Sequence, residues 1–268
     1  MRNLFRRMAV MLGLITPAMY AWPGMDVNLP DRRQLHLVGS IHMGSREMAP
    51  LPASLLARLR QASALIVEAD ITTGSPLTND EPITVPLSER LRPQMQTLLS
   101  GICGEYGLDE AALTALPSWH IALILQARQA ESLGLRAAYG IDYQLIQAAK
   151  AMDKPVIELE GPQQQMELLL QLPDQGNTLL HDTLDHWHDN ARLLQTMIGW
   201  WLYNRPINMD KAFPSTFSGE LYQHLMTERN QRWKRQLEDL PSGEYVVAVG
   251  ALHLYGEQNL PSLLENNL

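Results

Sequence analysis

Apolar positions fall into two kinds of stretch along this chain. Short, largely apolar runs occur at residues 34–38 (QLHLV), 64–67 (ALIV), 155–160 (PVIELE) and 245–249 (YVVAV). Runs of that length, rich in branched residues and closed by glycine or acids, predict strands, and the least interrupted suit a sheet covered on both faces. His36 lies inside the first run, and alternation would turn it outward. Longer stretches carry apolar residues at steps of three and four. Leu51, Leu55, Leu56 and Leu59 predict a helix over 50–62, and the helical pattern over 87–133 breaks near Gly101, Gly107 and Pro117. Asp142 reads as the N-cap of a helix running to Met152. Leu180, Leu184, Trp187, Ala191, Leu194, Ile198 and Trp201 form one stripe, and a last long helix over 219–240 ends before Pro241. Residues 72–86, rich in Thr, Pro, Ser, Asn and Asp, predict a loop. Strands separated by helices imply an α/β fold, a layered mixed sheet with flanking helices, and no linker or low-complexity tract divides it.

Composition narrows the function. The chain has 268 residues and 46% apolar content, enough for one sizeable core. A net charge of −8 with no basic stripe argues against nucleic acid as a partner. The single cysteine, Cys103, rules out an internal disulfide framework and a thiolate metal cluster, and reads as a small buried hydrophobe. At the start, Arg2, Arg6 and Arg7 precede an apolar stretch over 8–20. Residues 1–21 read either as a signal peptide or N-terminal anchor, with export or peripheral membrane association, or as an amphipathic segment of a cytoplasmic protein. The folded domain is then expected over 22–268.

Two strand ends are alike. Gly39-Ser40-Ile41-His42 and Gly250-Ala251-Leu252-His253 each follow an apolar run, and each has a further glycine, Gly44 or Gly256, beyond the histidine. In open α/β sheets ligands bind past the carboxyl ends of the strands. These histidines could meet there only if their strands are neighbours. The other two runs end in Glu68 with Asp70 and in Glu158 with Glu160. Two imidazoles with one or two carboxylates suit a divalent ion such as Zn, Mn or Co, which would activate water. They equally suit metal-free acid–base chemistry with a histidine base and Glu68 orienting it. The same pattern also fits two buried, hydrogen-bonded core histidines. His181, Asp185 and His188 share a helix face, which reads as solvated rather than metal-binding.

Beyond these patterns, LVGSIHMG at 37–44, VEAD at 67–70, YGID at 139–142, PVIELEGPQQQ at 155–165, ERN at 228–230 and VAVGALHLYGEQNL at 247–260 resemble the TraB/GumN/PrgY family, over roughly residues 22–265. The resemblance implies an α/β fold akin to the erythromycin-esterase and ChaN-like proteins. It also implies a link to the Tiki proteins, metalloproteases that need two G-x-x-H motifs and glutamates with Mn or Co. Carried over, it makes His42, His253, Glu68 and Glu160 the metal candidates, and Glu68, Arg229 and Asn230 the catalytic ones. Trp233 stands where the family often has Met, which changes the floor of the site. The function so implied is a metal-dependent hydrolase acting on a peptide or small molecule. The alternatives are a metal-independent His/Glu esterase-like hydrolase and a sequestering protein without turnover.

Overall fold

Four apolar strands lie side by side and parallel at the centre of the protein. The structure is a computed structural model and describes residues 20, 22–73, 83, 85–203 and 219–265. The strands are β1 (Gly24–Leu29), β2 (Arg33–Ser40), β3 (Ala64–Val67), β4 (Val156–Glu158) and β5 (Gly243–Gly250), in the order β1-β2-β5-β3-β4. β1 closes an antiparallel hairpin on β2, and all other pairings are parallel. The sheet is therefore mixed, as expected. The edge strand β1 escaped the sequence reading because its polar and apolar residues mix, GMDVNL, and only part of it is buried.

Alternation sorts the strand residues onto two faces. Val38, Leu65, Val67, Val246 and Ala248 pack against α1 (Ala53–Gln61) and the later helix Ile141–Ala151. Leu35, Leu37, Ile66, Val247 and Val249 pack with Trp233, Leu237, Leu260 and Leu264 on the other side. Both faces are covered, which is why these strands read as continuous apolar runs.

The remaining helices are α2 (Leu87–Arg90), α3 (Pro93–Tyr106), α4 (Glu110–Thr114), α5 (Ser118–Ser132), α6 (Ile141–Ala151), α7 (Pro162–Leu170), α8 (Asn177–Asp185), α9 (Trp187–Tyr203), α10 (Gly219–Tyr222), α11 (Glu228–Glu238) and α12 (Leu260–Glu265). α3, α5 and α8 build a third apolar cluster around Leu99, Trp119, Leu125 and Leu180. The stripe from Leu180 to Trp201 belongs to two helices rather than one, with a break at His186. α10 runs into a π-helical segment, Gln223–Thr227, and then into α11. Gly101 does not interrupt α3, which ends at Gly107 with a positive φ of 65°. Among the described residues no helix is long and apolar enough to cross a membrane. The expected leader lies almost wholly outside the described residues, as does most of the loop at 72–86.

Candidate functional site

The register decides which side chains can meet. β2 and β5 are neighbours, and Ser40 pairs with Gly250, so the two Gly-x-x-His segments leave the sheet side by side. β5 also pairs with β3, and β3 with β4. Four adjacent strands thus deliver His42, His253, Glu68 and Glu160 at one carboxyl edge, the usual place for a ligand site in a parallel sheet. Gly39 permits the close fit, since a Cβ there would lie 3.1 Å from both Cα and Cβ of Ala251.

Arg229, from the start of α11, stands in the middle of this edge. Its Nε and Nη2 donate to Oε1 and Oε2 of Glu160 at 2.9 and 2.8 Å, a bidentate pairing. Nη2 also donates to Glu68 Oε2 at 2.6 Å. Nη1 donates to the Leu225 carbonyl and to His253 Nε2, each at 3.3 Å. The guanidinium lies 4.6 Å from the Trp233 ring centre. All of its N–H donors are engaged. Glu68 accepts from the Gly250 backbone N–H at 2.6 Å through Oε1 and from Gln165 at 3.3 Å through Oε2. Burial opposes its charge, but Arg229 and the two histidines outweigh it and hold the carboxyl at about 2.

The two histidines are set up in opposite ways. His253 is buried and packs 4.4 Å from Trp233, centre to centre. The Asn230 amide donates to the Gln258 carbonyl at 3.0 Å, so its oxygen faces His253 Nδ1 at 2.7 Å and must accept. That fixes the proton on Nδ1 and leaves Nε2 as an acceptor for Arg229. Burial, with Arg229 beside it, pushes the imidazole down to about 3, so it stays neutral. The His42 side chain is 65% exposed, and its Nδ1 pairs with the buried Asp142 carboxylate. That carboxylate raises His42 to about 9, with a further push from Glu68. Nε2 of His42 has no partner among the described residues.

His42, Glu68, Glu160, Arg229, Asn230 and His253 all belong to this edge. Asn230 acts through His253, and Glu160 is tied to Arg229 and also to Arg232 at 3.3 Å. Asp70 turns away to Lys150 and Thr72, and Glu158 accepts from the Asp70 N–H, so both serve the loop that follows β3. Asp142 is a correction. Gly140, not Asp142, is the N-cap of α6, and Asp142 sits inside the first turn with its carboxylate on His42. Gln165 was also missed, because nothing local distinguishes it within Gln163-Gln164-Gln165. His36 is a second correction. It is buried, accepting from Trp22 Nε1 and donating to Asp26, because the chain before β1 folds over that face. A recess of about 370 Å³ bounded by Asp26, Gln34, His36, Arg58 and Glu244 opens there, and it shares no residue with the edge cluster. His181 bonds the Arg90 carbonyl and Asp185 pairs with Arg92.

The donors, as arranged, do not fit a divalent ion. Arg229 already lies between Glu68, Glu160 and His253. Among the described residues no group of three or more His, Cys, Asp or Glu side chains is set to hold a metal. The charges also balance without one: Glu68, Glu160 and Asp142 face Arg229, Arg232 and the His42 imidazolium.

Comparison with known proteins gives the family of the chain. The model of the TraB/PrgY/gumN family matches residues 26–267. The chain belongs to this family. It is 55% identical over 245 residues to "Uncharacterized protein YbaP" of Escherichia coli (strain K12), covering 91% of this chain and 93% of that protein. The YbaP protein of Shigella flexneri is similar to the same extent. No solved structure matches. All six segments quoted above lie within the matched residues.

Proposed function

We propose that this TraB/PrgY/gumN protein is a hydrolase of acyl bonds, in an ester or a peptide, with His42 as its proton-transfer group. The observation that carries the reading is an exposed imidazole held through Nδ1 by a buried carboxylate, above a fixed cluster of charge. Asp142 orients the ring and stabilises its charged form, as a carboxylate does for a catalytic histidine. In its neutral form His42 takes a proton from water through Nε2. The resulting hydroxide attacks the acyl carbon, and the same nitrogen returns the proton to the leaving alkoxide or amine. Arg229 does not touch substrate in this scheme, since its donors are taken. It holds Glu68 and Glu160 in place and keeps Glu68 charged, and the Glu68 charge favours the imidazolium formed at His42.

A panel of simple esters and short peptides, assayed with and without a chelator, tests the reading. Wild type is expected to turn over at least one class with equal rate in EDTA, and His42→Ala to lose about 100- to 10,000-fold. Activity abolished by EDTA and restored by Mn, Co or Zn would favour metal-dependent hydrolysis instead. Stoichiometric ligand capture with no product would make the chain a sequestering protein.

A further inference from the structure

The strand-edge acids and His253 enclose a position of positive charge, and what fills it is a side chain of this chain. Arg229 reaches four acceptor atoms of that set: Glu68 Oε2 at 2.6 Å, Glu160 Oε2 at 2.8 Å, Glu160 Oε1 at 2.9 Å and His253 Nε2 at 3.3 Å. These are three of the four side chains that would otherwise be read as metal ligands. We infer that Arg229 is the resident cation of the site, and that the guanidinium excludes divalent ions from it.

Three features support the inference together. The guanidinium is locked, with its donors engaged and its face on Trp233, so it has no unused hydrogen bond to trade for a different position. It supplies a charge that cannot titrate away, which two buried carboxylates require to stay ionised. The fourth candidate, His42, is bonded to none of these three side chains, its Nδ1 being on Asp142, so Arg229 alone holds the set together. A divalent ion drawn to Glu68 or to His253 Nε2 would sit against a fixed positive charge, and the repulsion at that spacing is large in a poorly solvated site. The set Glu68, Glu160 and His253 nonetheless has the donor chemistry of a 1-His-2-carboxylate ligand group. Removing the guanidinium would turn it into a metal seat.

The test reads binding alone, so it stands apart from whether the chain hydrolyses anything. Purified full-length protein, stripped with chelator and dialysed, is titrated with Mn, Co and Zn by calorimetry, with Co absorption as a report on ligand type. Wild type is expected to take up no stoichiometric ion. Arg229→Met is expected to bind one ion per chain, on the order of tenfold or more tighter than wild type, because one positive charge has left the donor set. Adding Glu160→Gln should remove that gain. If Arg229→Met folds poorly, the ion should raise its melting temperature, and Arg229→Gln repeats the titration with a neutral polar side chain. One ion bound to wild type as tightly as to the variants would overturn the inference. So would the absence of binding in wild type and both variants, because the three donors would then form no cation seat at all.

Discussion

At the residue scale the two site histidines show how one residue type is given two ionisation states. His253 is neutral because it is buried with Arg229 beside it, while His42 is charged because Asp142 faces it from the first turn of α6. If His42 is the base, the rate must follow the fraction of its neutral form. kcat/KM should therefore rise with pH and level off above about 9. Asp142→Asn removes the largest cause of the raised value, so the rising limb should move down toward the ordinary imidazole range. The plateau should fall as well, because the ring loses its orienting carboxylate. A rate flat or falling between pH 7 and 10 in wild type would sink the base role. The histidines and Glu68 were legible in the sequence because each follows an apolar strand directly. Asp142 was not, since an acid at the start of a helix reads as a cap. Its partner lies 100 residues away, and only the packing of the 41–44 segment on the 136–141 segment brings them together.

That packing belongs to the element scale. Gly44 and Arg136 form an isolated bridge, and the Ile141 N–H donates to the Ile41 carbonyl at 2.9 Å. A Cβ on Gly44 would come within 2.1 Å of the Tyr139 carbonyl oxygen, and one on Gly140 within 2.3 Å of the His42 carbonyl oxygen. Both glycines are there for close approach of two backbones. Gly44→Ala must therefore push the segment after β2 away from the start of α6. The expected result is a fall of His42 from about 9 toward its ordinary value, followed by NMR titration of its ring protons, with activity lost in parallel. An unchanged His42 titration in a folded Gly44→Ala protein would show that this clamp does not position the pair. Strands β2 to β5 were legible from short, mostly apolar runs; β3 and β5 show them best because both their faces are covered, while β4 is an exposed edge strand. The split of α8 from α9 and the π segment before Arg229 were not legible. A single apolar stripe continues through the first, and no residue type marks the second.

At the scale of the whole molecule the edge cluster ties stability to pH from both sides. His253 is held at about 3 against an ordinary 6.5, so below 6.5 the unfolded chain takes up a proton that the folded one refuses. Its contribution is intact above 6.5 and erodes as pH falls toward 3, at no more than about 1.4 kcal/mol per pH unit for one proton. Glu68, held at about 2 against 4.5, adds a second loss that starts below 4.5. His42 acts in the opposite direction. Its value of about 9 means a contribution that is complete below 6.5 and lost as pH rises through 9. The three together place the maximum of stability near pH 6.5, falling on both sides, which thermal melts across pH 3 to 10 would measure. Two variants separate the limbs. His253→Gln should flatten the decline between 6.5 and 4.5 while leaving the steeper loss below 4.5. Asp142→Asn should flatten most of the alkaline decline, because Asp142 is the largest cause of the raised His42 value and Glu68 a smaller one. If His253→Gln melts in parallel with wild type between pH 6.5 and 4.5, the acid limb has another origin, and the neutral His253 packed on Trp233 is not what limits the fold in acid.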